Sequence, residues 1–142
     1  MIIDGNRAAD RAIELVLAYY SAFNRGDGDA MLALVTDDVA HDINQGARET
    51  GKPAFAQFLA RTKRCYREQL RDIVVLANLG GARVAAEYTV HGEYLADDTG
   101  QPAAHGQKYA LPGGAFFEVR DGRIARVTNY YNLEDWVAQL SA

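Results

Sequence analysis

Few side chains in this chain combine a reactive type with a telling position. In the stretch HDINQG, His41 stands directly before Asp42, and both can move protons. In an extended strand, adjacent side chains point to opposite faces, so only one of the two meets a given pocket. A carboxylate facing an apolar pocket has its charged form disfavoured, which lifts its pKa toward the range a general base needs. On that reading Asp42 is a general base, and His41 faces outward as a structural or dimer-face residue. A strand shifted by one residue exchanges the two roles and makes His41 the pocket group. A third reading keeps Asp42 as a structural carboxylate bonding the turn near Asn44 and Gly46. Tyr19 offers a phenol donor to a substrate oxygen, against the commoner fate of a helix tyrosine packed in the core. Asn129 lies on an apolar strand face, where an amide needs a partner: a ligand, a pocket water or a neighbouring tyrosine.

Other reactive types are present without a reactive pattern. His91 falls on the polar face of its strand and His105 in a loop expected to be mobile. The three histidines show no metal-ligand spacing, so no metal site is expected. Phosphate-binding loops, dinucleotide glycine motifs and nucleophile elbows are missing, and no cofactor is expected. Arg61, Lys63, Arg64, Arg67 and Arg71 form a basic cluster around one helix. It reads first as a solvated face and second as a rim that attracts anions. Trp136 closes one end of the core or a dimer contact.

The elements that must position these groups follow from hydrophobic period. Between Ala9 and Asn24, the residues Ala12, Ile13, Val16, Leu17, Tyr20 and Phe23 recur at helical spacing. Gly26 suits a helix end, and Asp27 or Asp29 can cap a short second helix over Ala30 to Val35. A brief strand through VAHDIN follows. Pro53 opens a third helix carrying Phe55, Phe58, Leu59, Thr62 and Tyr66 on one face. From Gln69 the period becomes two. Gly80-Gly81 and Asp121-Gly122 mark two hairpins, and Gly113-Gly114 inside a strand signals a bulge or a close backbone approach. Asn132 caps a last short helix. Helices followed by a meander of antiparallel strands make an α+β fold.

The 142 residues suit one domain spanning 1–142, and the net charge of −4 with a pI near 5.3 argues against nucleic acid as partner. No apolar run approaches the roughly 18 residues a membrane span requires, and the N-terminus lacks the apolar core of a signal peptide. A single cysteine, Cys65, fits a reducing cytoplasm.

The stretch AYYSAFNRGDGDAMLALVTDDVAHD, the two long hairpins and GAFFEVRDGRIARVTNYYN resemble the nuclear-transport-factor-2-like superfamily. Within it, the chain is similar to ketosteroid-isomerase-related and SnoaL-like proteins, over about Ala9 to Leu140. The resemblance implies a cone-shaped fold: three N-terminal helices on a strongly curved, mainly antiparallel sheet, a short C-terminal helix and a deep pocket. It also implies a homodimer, here through the outer sheet face. Strand alternation would line the pocket with Tyr88, Val90 and Tyr94, with Tyr109, Ala115 and Phe117, and with Asn129 and Tyr131. Ketosteroid isomerases use an Asp base and an oxyanion hole made of a Tyr and a protonated Asp. Carried over, the tyrosine falls on Tyr19 and the base on or next to Asp42, with Ile43 or Asn44 as the other occupants of that slot, while the second acid is replaced by Ala115. A methyl group cannot donate a hydrogen bond, so efficient 3-oxosteroid isomerisation is not expected. The expected ligand is a hydrophobic or polyketide-like carbonyl compound. The expected chemistry is cofactor-independent proton transfer, as in isomerisation, cyclisation or dehydration. A non-catalytic binding protein and a protein-interaction module are the alternatives.

Overall fold

The computed structural model describes residues 2–142, with side chains from Gly5 onward. Helix α1 (Ile2–Asn24) buries Ala12, Val16, Tyr19, Tyr20 and Ala22. Leu17, expected on the same face, lies toward its edge and is 44% exposed. Gly26, at a φ of 69°, turns the chain back, and Asp27 accepts a hydrogen bond from the Ala30 amide to cap α2 (Gly28–Ala33). That cap starts α2 two residues before the expected Ala30, and β1 (Val35–Asp42) begins correspondingly early. An edge strand, β2 (Arg48–Thr50), then precedes α3 (Lys52–Cys65), whose Pro53 sits in the first turn. Strand β3 (Tyr66–Ala77) starts at the residue after α3, three residues ahead of Gln69. The remaining elements are β4 (Arg83–Tyr94), β5 (Lys108–Arg120), β6 (Arg123–Tyr131) and α4 (Leu133–Leu140), capped by Asn132.

The strands form one sheet in the order β2-β1-β6-β5-β4-β3. Only β1 against β6 is parallel, because α3 lies between β1 and the meander that returns beside it. This is an α+β fold with the helices gathered on one face: α1 rests on β3, β4 and β6, and α3 on β1 and β3. Register shifts at Arg71–Val74 in β3 and Glu118–Val119 in β5 bend the strands around the helices. The β3 shift contains Asp72 at a φ of 55°.

The hairpin glycines have different reasons. At Asp121-Gly122, φ values of 52° and 75° match the turn whose twist suits a two-residue hairpin. At Gly81 the constraint is also tertiary, since a side chain there would collide with the Ala8 carbonyl of α1. Gly113 marks a close approach rather than a bulge: its ladder is unbroken, and a Cβ would stand 2.7 Å from the ring of Tyr88, its partner on β4. Gly92 and Tyr109 repeat this relation four residues along the same strand pair, with the glycine now on β4 and the tyrosine on β5. Each tyrosine ring lies flat over a glycine, so the concave face carries large rings without thickening.

The core has two parts. The larger joins α1, α2 and α3 to the sheet through Val16, Val35, Val39, Phe55, Phe117 and Ile124. The smaller gathers Cys65, Tyr66, Tyr94, Tyr109, Leu111 and Leu140, with Trp136 packed against it. The Tyr94 phenol also ties down the segment 95–107, accepting from the Asp98 amide at 2.9 Å and donating to the Pro102 carbonyl at 2.7 Å. Gln107 adds bonds to the carbonyls of Ala103 and Leu140. The segment expected to be mobile is therefore pinned from inside. Among the described residues no helix is long and apolar enough to cross a membrane.

Candidate functional site

Between the two core clusters, the concave face of the sheet and the helices enclose a cavity of about 380 Å³, within the range of small-molecule sites. One region is apolar, with Phe23, Met31, Phe55, Phe58 and Leu59 from the three N-terminal helices. The other is polar and aromatic, with Tyr66, Glu68, Asp98, Asn129, Tyr131 and Trp136.

Glu68 is the most constrained of these. It pairs across the ladder with Gly92 on β4, and Gly92 pairs with Tyr109 on β5. Because Gly92 has no side chain, the Tyr109 ring crosses over it and its hydroxyl donates to Glu68 Oε2 at 2.5 Å. Burial pushes the Glu68 carboxyl above its ordinary value, and the bond from Tyr109 opposes this only in part. Glu68 thus holds its proton more tightly than a surface glutamate does. The same burial pushes Tyr88 up to about 12, so its phenol stays a neutral donor. Asp98 accepts from the Tyr66 hydroxyl at 2.7 Å, with Arg61 Nε 3.8 Å from its other oxygen.

On the opposite side, His41 is 1% exposed, with its ring edge-on to Phe55 and Phe58 at centroid distances of 5.0 and 4.4 Å. Burial lowers its pKa, with Glu49 and Asp42 pulling weakly the other way, so the imidazole is neutral at neutral pH. Its Nδ1 stands 4.0 Å from Glu49 across the β1–β2 ladder, beyond hydrogen-bond reach. Among the described residues, five buried side-chain polar atoms lack a hydrogen-bond partner. Four belong to residues that line this cavity: Tyr20 Oη, His41 Nδ1, Gln101 Oε1 and Trp136 Nε1. The Tyr20 hydroxyl and Trp136 Nε1 have the Tyr88 and Tyr109 hydroxyls as loose partners, which leaves His41 Nδ1 and Gln101 Oε1 for a polar ligand or water to satisfy. No group of three or more metal-ligating side chains occurs among the described residues.

The SnoaL-like domain pattern matches residues 16–127. The chain belongs to the SnoaL-like family. It is 65% identical to a candidate polyketide cyclase from Xanthomonas campestris pv. campestris, covering 94% of this chain and 98% of that one, with a TM-score of 0.91. A candidate polyketide cyclase from Pseudomonas putida is 64% identical over 90% and 96% of the two chains, at a TM-score of 0.89. A third, from a Silicibacter species, is 51% identical over 92% and 96%, at 0.90. No protein of curated function matches the chain.

This SnoaL-like chain places its sequence-derived candidates unevenly. Tyr19, His41, Tyr88, Val90, Asn129 and Tyr131 line the cavity. Asp42, expected as the inward base, faces the other side of β1. There it takes two bonds from Arg48, at 2.6 and 3.0 Å, and one from Thr128 at 2.6 Å. The Arg48 bond foremost holds its carboxyl down at about 2; burial opposes it, and Thr128 and the nearby guanidinium charges add to the lowering. The parity of β1 is set at Val39, which is fully buried, and carries His41 inward two residues on. Tyr94, Tyr109, Ala115 and Phe117, expected in the pocket wall, do not line the cavity. Tyr94 and Tyr109 belong to the smaller core, and Ala115 and Phe117 lie in the larger core, Phe117 edge-on to Tyr19 and Tyr20. Glu68 and Asp98 were not singled out from sequence. The alternation Tyr66, Glu68, Leu70 would have revealed Glu68 had the strand been started at the end of α3. Asp98 lies in an irregular segment, where no period points anywhere.

Proposed function

We propose that residues 1–142 form a single SnoaL-like domain that takes a hydrophobic carbonyl compound into its cavity and transfers protons on it without a cofactor. The support for this reading is that one cavity holds both an imidazole whose pKa burial lowers and a carboxyl whose pKa burial raises. Groups whose environments push their pKa values apart divide into base and acid. His41 takes a proton from the carbon beside the carbonyl. Glu68, supported by Tyr109, donates a hydrogen bond to the oxygen that becomes an enol. Return of the proton from His41 to another carbon completes an isomerisation, and attack of the enolate carbon on a second carbonyl, whose oxygen takes the proton back from His41, completes a cyclisation. Glu49, 4.0 Å from Nδ1, favours the tautomer with its hydrogen on that nitrogen and leaves the other nitrogen as base. His41 and Glu68 sit on β1 and β3, separated by three strands, so the substrate is extended enough to reach both walls. The names of the cyclase relatives point the same way.

A second reading, a binding protein without chemistry, draws support from Asp42 and Ala115. Two of the three positions expected from the isomerases offer no cavity acid. A homodimer through the outer sheet face draws support from Phe116 and Tyr130, which pack on each other there while 48% and 56% exposed. The lone, buried thiol of Cys65 suits the cytoplasm.

The deciding experiment is deuterium exchange at the activated carbon of 2-tetralone in deuterium oxide, followed by NMR. Exchange above the buffer rate is expected, lost in His41→Gln and retained in Asp42→Asn. Its pH profile should place the acid limb below the ordinary histidine value, since burial lowers the pKa of His41. Exchange that survives His41→Gln removes the base assignment, and tight binding without exchange favours the binding protein.

A further inference from the structure

The basic residues around α3 play no part in proton transfer, yet two of them share a location. Lys63 and Arg67 join Arg25, from the end of α1, at the lip of a second cavity of about 350 Å³. Phe23, Met31, Leu59, Thr62, Tyr66 and Glu68 line both this space and the main cavity. The two spaces therefore meet at one wall of six side chains, with Glu68 in it. Among the described residues lining the second cavity, Glu68 is the only acid, and it lies at the inner wall.

The cations at the lip are lightly committed. Lys63 Nζ donates to the Gly26 carbonyl at 2.8 Å and has no carboxylate partner among the described residues. Its stem lies 3.7 Å from where a Cβ on Gly26 would be, so the glycine turn leaves the lysine its place. Arg25 and Arg67 reach Asp27 and Glu93 at 3.8 and 3.6 Å, through exposed side chains. Exposed pairs of that kind contribute little and are readily exchanged for a better anion. In a chain of net charge −4, three cations at one mouth run against the overall field and concentrate positive potential there.

We propose that this second mouth binds the anionic end, a carboxylate or a phosphate, of an amphipathic substrate whose hydrophobic body fills the main cavity. The inference rests on the reading that the main cavity takes a hydrophobic carbonyl compound, and it adds the class: a carbonyl compound that also carries a carboxylate or a phosphate at one end. It also gives the substrate an orientation, with its anionic end at Arg25, Lys63 and Arg67 and its apolar end toward Phe55 and Phe58.

Two fluorescent probes that differ by one sulfonate test it. N-phenyl-1-naphthylamine is neutral, and 8-anilinonaphthalene-1-sulfonate carries the anion on the same ring body. Wild-type protein should bind the sulfonate probe roughly tenfold more tightly, the preference falling with added salt. In Lys63→Gln/Arg67→Gln the preference should vanish, while binding of the neutral probe reports that the cavity is intact. Decanoate and decyl phosphate then distinguish the two anions by which displaces the sulfonate probe at lower concentration. Equal affinity for both probes, a preference that survives the double variant, or displacement by neither amphiphile overturns the proposal. Failure of the neutral probe to bind at all would instead overturn the cavity reading beneath it.

Discussion

Gly92→Ala tests the geometry that holds Glu68. The backbone at Gly92 is within a regular ladder, so alanine introduces no conformational strain of its own. Its Cβ, however, would overlap Cζ, Cε2 and the hydroxyl of Tyr109. Strand backbone cannot yield that far, so the ring must leave. Overpacking of this kind costs about 1–3 kcal/mol, and loss of the Tyr109 bond to the Glu68 carboxyl about 1–2 kcal/mol more. Removing a glycine from a strand returns about 0.5–1 kcal/mol. The net destabilisation is about 1–4.5 kcal/mol, or roughly 3–13 °C in Tm for a chain of this size. Urea and thermal unfolding of Gly92→Ala, Tyr109→Ala and the double variant measure it. If the clash is the cause, Gly92→Ala costs almost nothing once Tyr109 is already alanine, a coupling of about 2 kcal/mol or more. A single variant within about 0.5 kcal/mol of wild type, or additive effects in the cycle, would refute the reasoning.

Two carboxyls should give opposite pH signatures. Asp42, held at about 2 chiefly by Arg48, contributes stability present above the ordinary carboxyl value and lost as pH falls toward 2. Asp42→Asn should therefore be less stable at pH 7 and converge with wild type in acid, by equilibrium unfolding. Glu68 is raised, so its contribution is present below the ordinary value and lost as pH rises through its own pKa. Glu68→Gln should gain on wild type over that rise, and a constant difference would refute the shift. Tyr94→Phe removes the hydroxyl that pins residues 95–107; faster amide exchange in that segment is expected, at a cost of about 1–3 kcal/mol. Phe116→Asp should yield monomers by analytical ultracentrifugation if the outer face is the dimer contact, and an unchanged mass removes that face.

The sequence by itself determined what depends on nearest neighbours along the chain. The 3.6-residue period of α1 and α3, the Asp27 and Asn132 caps, and the positive-φ turn at Asp121-Gly122 are local, and each was legible. Alternation likewise assigned Tyr88, Val90, Asn129 and Tyr131 to the concave side, because inward and outward positions in a strand differ by a single step. That same step is why His41 and Asp42 stayed ambiguous. Nothing within HDINQG sets the parity; Val39 does so by packing into the core, and Arg48 from β2 then claims Asp42. Whether an inward residue meets the cavity or solid core was also undecided, since Phe117 and Tyr88 obey the same alternation and differ only in what stands opposite. Only the tertiary structure brought Glu68, Gly92 and Tyr109 into one row across three strands and placed Asp98 beside Tyr66. Those relations depend on register and on a segment held by Tyr94, and partners 32 and 41 positions apart in the chain carry no local trace of each other.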